Sequence, residues 1–143
     1  MEELNMNNRI KSSILPVVVS LCAAVFLLSF ASVHRQEQWE VPDSYKNMKN
    51  PVAADSVSIT NGQNLYKKHC ASCHGKSGLG DGAKARQLLE NPGDMSSKAY
   101  QKQTDGEQFF KTKSGRDEMP SYEKLLSDKE IWDIVNYMRT FGK

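Results

Sequence analysis

The sequence predicts an all-α domain behind a single N-terminal transmembrane helix. Three observations carry that expectation. Residues 14–33 (ILPVVVSLCAAVFLLSFASV) are twenty in a row without a charge. Two later segments, one starting at Ser58 or Thr60 and one at Ser127, repeat apolar residues at helical spacing. Between them the chain is rich in glycine, then helical, then loop.

Length and composition narrow the choices. A chain of 143 residues holds one domain plus an appendage. Its formal charge of +2 gives no support to a nucleic-acid partner. The part beyond the apolar run is rich in Lys, Asp, Gly and Ser and modest in large apolar side chains. A domain of roughly 90 residues with so thin a core needs a further apolar centre.

Residues 1–13 are polar and include Arg9 and Lys11. As a helix, the run 14–33 spans about 30 Å, the thickness of a bilayer's hydrocarbon core. Pro16 falls in its first turn, where a missing N–H does no harm. A secretory signal carries a shorter apolar stretch, about 7–15 residues, so the reading favours an uncleaved anchor. The alternatives are cleavage near Ser29 and Ala31 or lipidation at Cys22, although Leu21 is bulky and the run continues well past it. The basic residues ahead of the span put 1–13 in the cytoplasm and the rest outside. The lipid bilayer is then the partner of residues 14–33, in a bacterial inner membrane with the domain on the periplasmic side. Residues 34–57, broken by Pro42 and Pro51, read as a tether. Within it Trp39, Val41, Tyr45 and Met48 are expected to pack partly onto the domain, which occupies 58–143.

The first domain helix places Gly62, Leu65, Tyr66, Cys70 and Cys73 on one face. A glycine inside a helix costs about 1 kcal/mol relative to alanine, so Gly62 implies that another backbone crosses closely. The expected partner is the last helix, from Ser127 to about Thr140, with Glu130 completing a capping box. Its stripe is Ile131, Ile134, Val135, Tyr137, Met138 and Phe141, with Trp132 directed at a cofactor edge or the tether. Residues 83–89 are expected to be helical, and Thr104 or Asp105 to cap a helix carrying Phe109 and Phe110.

The chemistry lies in Cys70-Ala71-Ser72-Cys73-His74. Two cysteines separated by two residues and followed by histidine form the attachment signature of c-type haem. At the end of a helix, thiols at i and i+3 share a face and can reach two vinyl groups on one edge of a porphyrin. The histidine then lies under the ring, where an imidazole nitrogen binds iron. One haem c, attached through two thioethers, is the implied cofactor. A thioredoxin-like dithiol would need a strand before the motif. A zinc site would need a second pair of ligands, and the other histidines are only His34 and His69. Gly75-Lys76-Ser77-Gly78-Leu79-Gly80-Asp81-Gly82 resembles a phosphate loop in composition alone.

A second axial ligand is sought among six methionines. Met1, Met6 and Met48 precede the domain, and Met138 belongs to the last helix's stripe. Of the remaining two, Met119 follows the loop at Gly115 and precedes Pro120, which favours an extended backbone. Met119 is taken as the ligand and Met95 as a haem-lining side chain. His69 is taken as a solvent-facing helix residue.

As a set, Gly62, Tyr66, CASCH, the GLGDG loop, Met119-Pro120 and the closing IWDIVNYMR resemble a class I cytochrome c over roughly residues 56–143. The GLGDG and MPSY segments most resemble the single-haem domains of cbb3-type oxidase subunits. The resemblance implies a class I cytochrome c fold in which Gly62 and Tyr66 cross Ile134 and Tyr137 at near right angles. It also implies iron ligated by His74 and Met119. The family's proline, whose carbonyl accepts the histidine ring N–H, has Pro92 as its only candidate, further from His74 than is usual. The expected function is that of a membrane-anchored monohaem cytochrome c, an electron carrier rather than an enzyme, serving redox partner proteins at the membrane. The alternative is a fixed haem subunit of a larger membrane oxidoreductase complex, such as a terminal oxidase or nitric oxide reductase.

Overall fold

The computed structural model describes residues 39–142. Six α-helices follow in order: α1 (Asp43–Lys46), α2 (Ser56–His69), α3 (Ala71–His74), α4 (Lys98–Gln101), α5 (Asp105–Ser114) and α6 (Asp128–Arg139). Short 3-10 turns occupy Ala85–Gln87 and Thr140–Gly142. Among the described residues there is no strand, only an isolated bridge between Arg116 and Met119. The all-α expectation therefore holds. The expected span 14–33 lies outside the described residues, and among those described no helix is long and apolar enough to cross a membrane.

Helix α2 begins earlier than the sequence suggests. The side chain of Asp55 accepts the Ser58 N–H at 2.8 Å and so caps the helix at Ser56. Asp55, Ser58 and Thr60 are all acceptable caps by residue type, and the first of them wins. Ser58 is thereby released for another task. It is buried and donates its hydroxyl to Asp133 Oδ1 at 2.6 Å.

Helix α6 starts as expected, with the Ser127–Glu130 capping box formed in both directions. Every residue from Ile131 to Met138 is buried, the expected stripe included, except that Phe141 is only half-buried and falls in the 3-10 turn after the helix. Three neighbours account for this. Helix α2 crosses at Gly62, where an added Cβ would collide with the Asp133 carbonyl, and the Tyr66 and Tyr137 rings meet edge-on at 5.4 Å. Helix α5 supplies Phe109, whose ring stacks on Trp132 with centroids 4.1 Å apart. On the third side, Asn136 donates to the carbonyls of Val52 and Ala53 at 3.1 and 3.3 Å, while Asn50 donates to its side-chain oxygen at 2.8 Å.

That third contact shows how the segment expected to be a tether sits. Val41 is buried, and Tyr45 lies 4.8 Å from Phe110 and 6.3 Å from Phe109, ring to ring. Trp132 therefore reaches this segment through Phe109. Met48 is 38% exposed, so its side chain is only partly engaged. At the other end of the core, Arg139 donates to Asp105 at 2.7 Å and to the Gln101 and Gln103 carbonyls at 2.9 and 2.6 Å. One guanidinium fork thus ties the end of α6 to the α4–α5 junction. Helix α5 is capped by Thr104 with Glu107 as its reciprocal partner.

The helix expected over 83–89 shrinks to the 3-10 turn Ala85–Gln87. The Gly82 and Lys84 N–H groups are spent on the Cys73 and Ser72 carbonyls at 3.2 and 2.8 Å. Propensity yields here to a tertiary constraint.

The α2–α6 crossing yields the first test. Gly62→Ala drives a methyl group into the Asp133 backbone, and overpacking of this kind costs about 1–3 kcal/mol. Chemical denaturation should show a clear fall in midpoint. Gly93→Ala is the control, since nothing lies within 4 Å of a Cβ there, although its φ of 79° adds some backbone strain.

Candidate haem site

The motif is delivered at the junction of two helices. Helix α2 ends at His69, Cys70 caps it, and α3 carries Ala71–His74. The Cys70 N–H still donates to the Tyr66 carbonyl at 2.8 Å, and the Cys70 carbonyl accepts from Cys73 and His74 at 3.1 and 2.9 Å. The five residues therefore form a continuous helical turn, which keeps thiols three residues apart on one side. The two cysteines are not joined in a disulfide.

Their environments differ. Cys70 is buried in the core beside Tyr66, and burial, with the neighbouring Cys73, pushes its thiol up to about 12. Thiol exchange needs a thiolate, so this environment counts against a redox dithiol. Burial also lowers the His74 pKa, which favours the neutral imidazole that binds metals.

The glycine-rich loop closes over the motif. Gly80, Gly82 and Lys84 donate their N–H groups to the carbonyls of His74, Cys73 and Ser72 at 2.9, 3.2 and 2.8 Å. These are the orphan acceptors of the helix end. A phosphate loop would aim its N–H groups at a ligand; these N–H groups are used up by the chain itself. A Cβ on Gly82 would strike the Ser72 and Cys73 carbonyls, so the loop lies too close for any side chain. Two phenols complete the frame. Tyr66 Oη donates to the Gly75 carbonyl at 2.9 Å, and Tyr122 Oη to the His69 carbonyl at 2.8 Å. His69, expected to face solvent, is half-buried with its ring 5.8 Å from that of Tyr122.

One atom of the motif has no protein partner. His74 Nδ1 is buried and unpaired among the described residues. The Pro92 carbonyl therefore does not accept its proton. The turn containing Pro92 packs elsewhere: Asn91 Oδ1 accepts from the Gly93 N–H at 2.7 Å, and Gly80 lies against this turn. Two unlinked thiols a turn apart and a half-buried imidazole, whose pKa is lowered by burial, form a donor set that fits haem c. Among the described residues no cluster of His, Cys, Asp and Glu side chains could hold a metal ion by itself.

The three methionines of the domain have distinct positions. Met95 is buried in the core cluster, with its N–H donating to Gly78 at 2.6 Å and its sulfur 3.9 Å from Tyr66 Oη. Met138 is also buried, and its sulfur accepts from Tyr100 Oη at 3.4 Å. Met119 is half-buried and closes a tight turn. Its N–H and carbonyl pair with Arg116 at 2.9 Å each, and Asp117 at the tip takes a φ of 51°. Ser121 and Tyr122 then bond back to the Lys113 carbonyl at 2.8 and 3.1 Å, and Glu118 accepts the Leu89 N–H at 2.7 Å. The Met119 turn is thus tethered both to the end of α5 and to the segment after the glycine loop. Sequence reasoning missed Gln108 altogether. Its only signal was a polar residue beside Phe109 on the inward side of α5.

The helical frame and the CASCH turn define a c-type cytochrome domain. A family model, "Cytochrome C oxidase, cbb3-type, subunit III", matches residues 57–138, and the chain belongs to that family. Membership implies covalently bound haem c. Among solved structures, the chain is similar to the Kuenenia stuttgartiensis reducing HAO-like protein complex Kustc0457/Kustc0458. That match has 25% identity and a TM-score of 0.60, and covers 67% of this chain and 50% of that one. The chain thus spans half the length of the relative. No curated protein matches it significantly.

The loop closure gives a second test. Gly82→Ala forces the glycine loop off the Ser72 and Cys73 carbonyls. The purified haem protein should lose denaturant resistance, and a smaller share of the polypeptide should carry haem. An unchanged denaturation midpoint would show that the loop does not brace the motif.

Proposed function

We propose that the protein is a membrane-anchored monohaem cytochrome c that passes single electrons between respiratory proteins, with its haem domain on the periplasmic side. The observation that carries this reading is the CASCH turn, fixed by the α2–α6 crossing behind it and by the glycine loop in front. Cys70 and Cys73 would hold the haem edge covalently, and His74 would supply one axial nitrogen. Met119 would supply the second axial ligand, because Met95 and Met138 are engaged in the core and Met119 is held in its own turn.

Bound haem supplies one-electron iron chemistry, with a potential raised by methionine ligation relative to two nitrogen ligands. The rest is the work of the chain. The frame around His74 and the doubly tied Met119 turn keep both ligands in place in either oxidation state. Little then has to reorganise when an electron moves. With His74 and Met119 both committed to holding the haem, no position would be left for a substrate, and the domain by itself would carry electrons without catalysis. Docking of redox partners would be brief and would use a small surface. Burial of residues 14–33 in lipid would retain the protein at the membrane.

A second reading is supported by the family description, which names an oxidase subunit, and by the similar solved structure, which is a complex. In it the chain is a fixed haem subunit of a larger oxidoreductase. Extraction in mild detergent followed by size analysis separates the two. The carrier migrates as a lone small protein, and the subunit migrates with a large assembly. Release of the protein by high salt alone would contradict the anchor, because apolar burial is insensitive to ionic screening.

The axial assignment has its own test. The oxidised protein should show the weak far-red sulfur-to-iron band, and Met119→Ala should abolish it, lower the potential and admit carbon monoxide. Met95→Ala should keep the band. The opposite pattern in the two variants would transfer the ligand role to Met95.

A further inference from the structure

Gln108 stands on the inward side of α5 with only 1% of its surface exposed. Both polar atoms of its carboxamide, Nε2 and Oε1, are buried and have no hydrogen-bond partner among the described residues. Its backbone is conventionally used: the N–H donates to Thr104 at 3.2 Å, and the carbonyl accepts from Thr112 Oγ1 at 2.9 Å. The side chain is the anomaly. A glutamine offers two N–H donors and a carbonyl acceptor, and burying all of them unpaired is a cost that native folds almost always avoid.

Among the described residues only one other side chain carries a buried unpaired nitrogen or oxygen, and that is His74. Among the described residues, the buried unpaired polar atoms thus fall on two side chains, one of them the expected haem ligand. Other buried polar side chains are paired within the protein. Ser58, Asp133 and Asn136 bond to one another or to Lys129, Asn50 and nearby carbonyls. Among the described residues, buried side-chain nitrogens and oxygens are satisfied except at these two places.

Position agrees with this pairing of anomalies. Gln108 and Thr112 are both buried and one helical turn apart, so they share an edge of α5. The same edge runs on to Gly115, which packs against the Met119 carbonyl and Pro120. Phe109, the neighbouring buried residue, is turned about a quarter of the way round the helix from Gln108 and stacks on Trp132. By helix register, Gln108 therefore lies on the edge of α5 that leads to the Met119 turn.

We propose that Gln108 is a haem-pocket residue whose carboxamide donates a hydrogen bond to an acceptor brought by the bound haem and its ligands. This rests on the haem reading above. The acceptor is either a haem carboxylate or the thioether sulfur of Met119, and both take an N–H donor. In either case an N–H donor would offset negative charge on its acceptor near the haem, which would favour the ferrous state. Pocket polarity and hydrogen-bond donors are among a protein's levers on haem potential. Gln108 is then a positioning and tuning residue, not a ligand.

The test uses the whole haem-loaded protein. In the 15N-labelled wild type, the Gln108 side-chain amide signals should shift strongly between the ferric and ferrous states. Gln108→Leu, which keeps the size and removes the polar atoms, should lower the potential, and Gln108→Asn should restore part of it. A weakened far-red band in Gln108→Leu identifies the Met119 sulfur as acceptor; a flattened pH dependence of the potential identifies a haem carboxylate. Amide signals that are the same in both oxidation states overturn the proposal, whether or not the leucine variant folds. So does a leucine variant with unchanged potential, band and pH profile. Loss of the haem reading itself would be recognised separately, because the wild-type sample would then show no haem absorption.

Discussion

At the centre of the domain the backbones of α2 and α6 touch, and no side chain fits between them. Gly62 lies against the Asp133 carbonyl, and from that contact much else follows. It sets Tyr66 against Tyr137 and so fixes the helix whose end carries Cys70, Cys73 and His74. It also fixes α6, onto which α5 packs through Trp132 and Phe109. The CASCH turn and the Met119 turn are thereby mounted on helices that share one partner.

The crossing is accompanied by a buried polar cluster that an apolar core would not contain. Asp133 is held by Ser58 at 2.6 Å and by Lys129 at 2.9 Å. Asn136 links Ser58 to Asn50, Val52 and Ala53. Each member is satisfied, which is the condition under which such networks specify structure rather than weaken it. Its effect is to fasten the segment ahead of α2 onto the helix pair. The segment that joins the domain to residue 39 and beyond is therefore part of the folded unit from Glu40 onward.

How much of this was legible in the sequence depended on whether the signal was local. The CASCH motif, the Ser127–Glu130 box and the Thr104 cap are short-range patterns, and each was found where it was expected. Gly62 was legible because a helix rarely tolerates glycine without a reason. The start of α2 was misplaced because four residues of capping type (Asp55, Ser56, Ser58 and Thr60) occur within six positions, and residue type alone does not rank them. At 83–89 only the 3-10 turn Ala85–Gln87 forms, directly after Gly82 and Lys84 are bonded to the Cys73 and Ser72 carbonyls, a long-range contact that local sequence does not reveal. Pro92 was nominated only because it was the sole proline nearby, and its turn packs on Gly80 instead. Gln108 gave almost no signal, since only the folded chain reveals that nothing pairs with its amide.

The central claim is that Cys70 and Cys73 hold a haem covalently above His74. The most direct measurement is the mass of the intact polypeptide after denaturation and acid-acetone extraction, followed by fragmentation. The account predicts a chain heavier by one haem, with the added mass on the fragment containing Cys70, Cys73 and His74. A polypeptide of unmodified mass, with all haem in the extract, would contradict it.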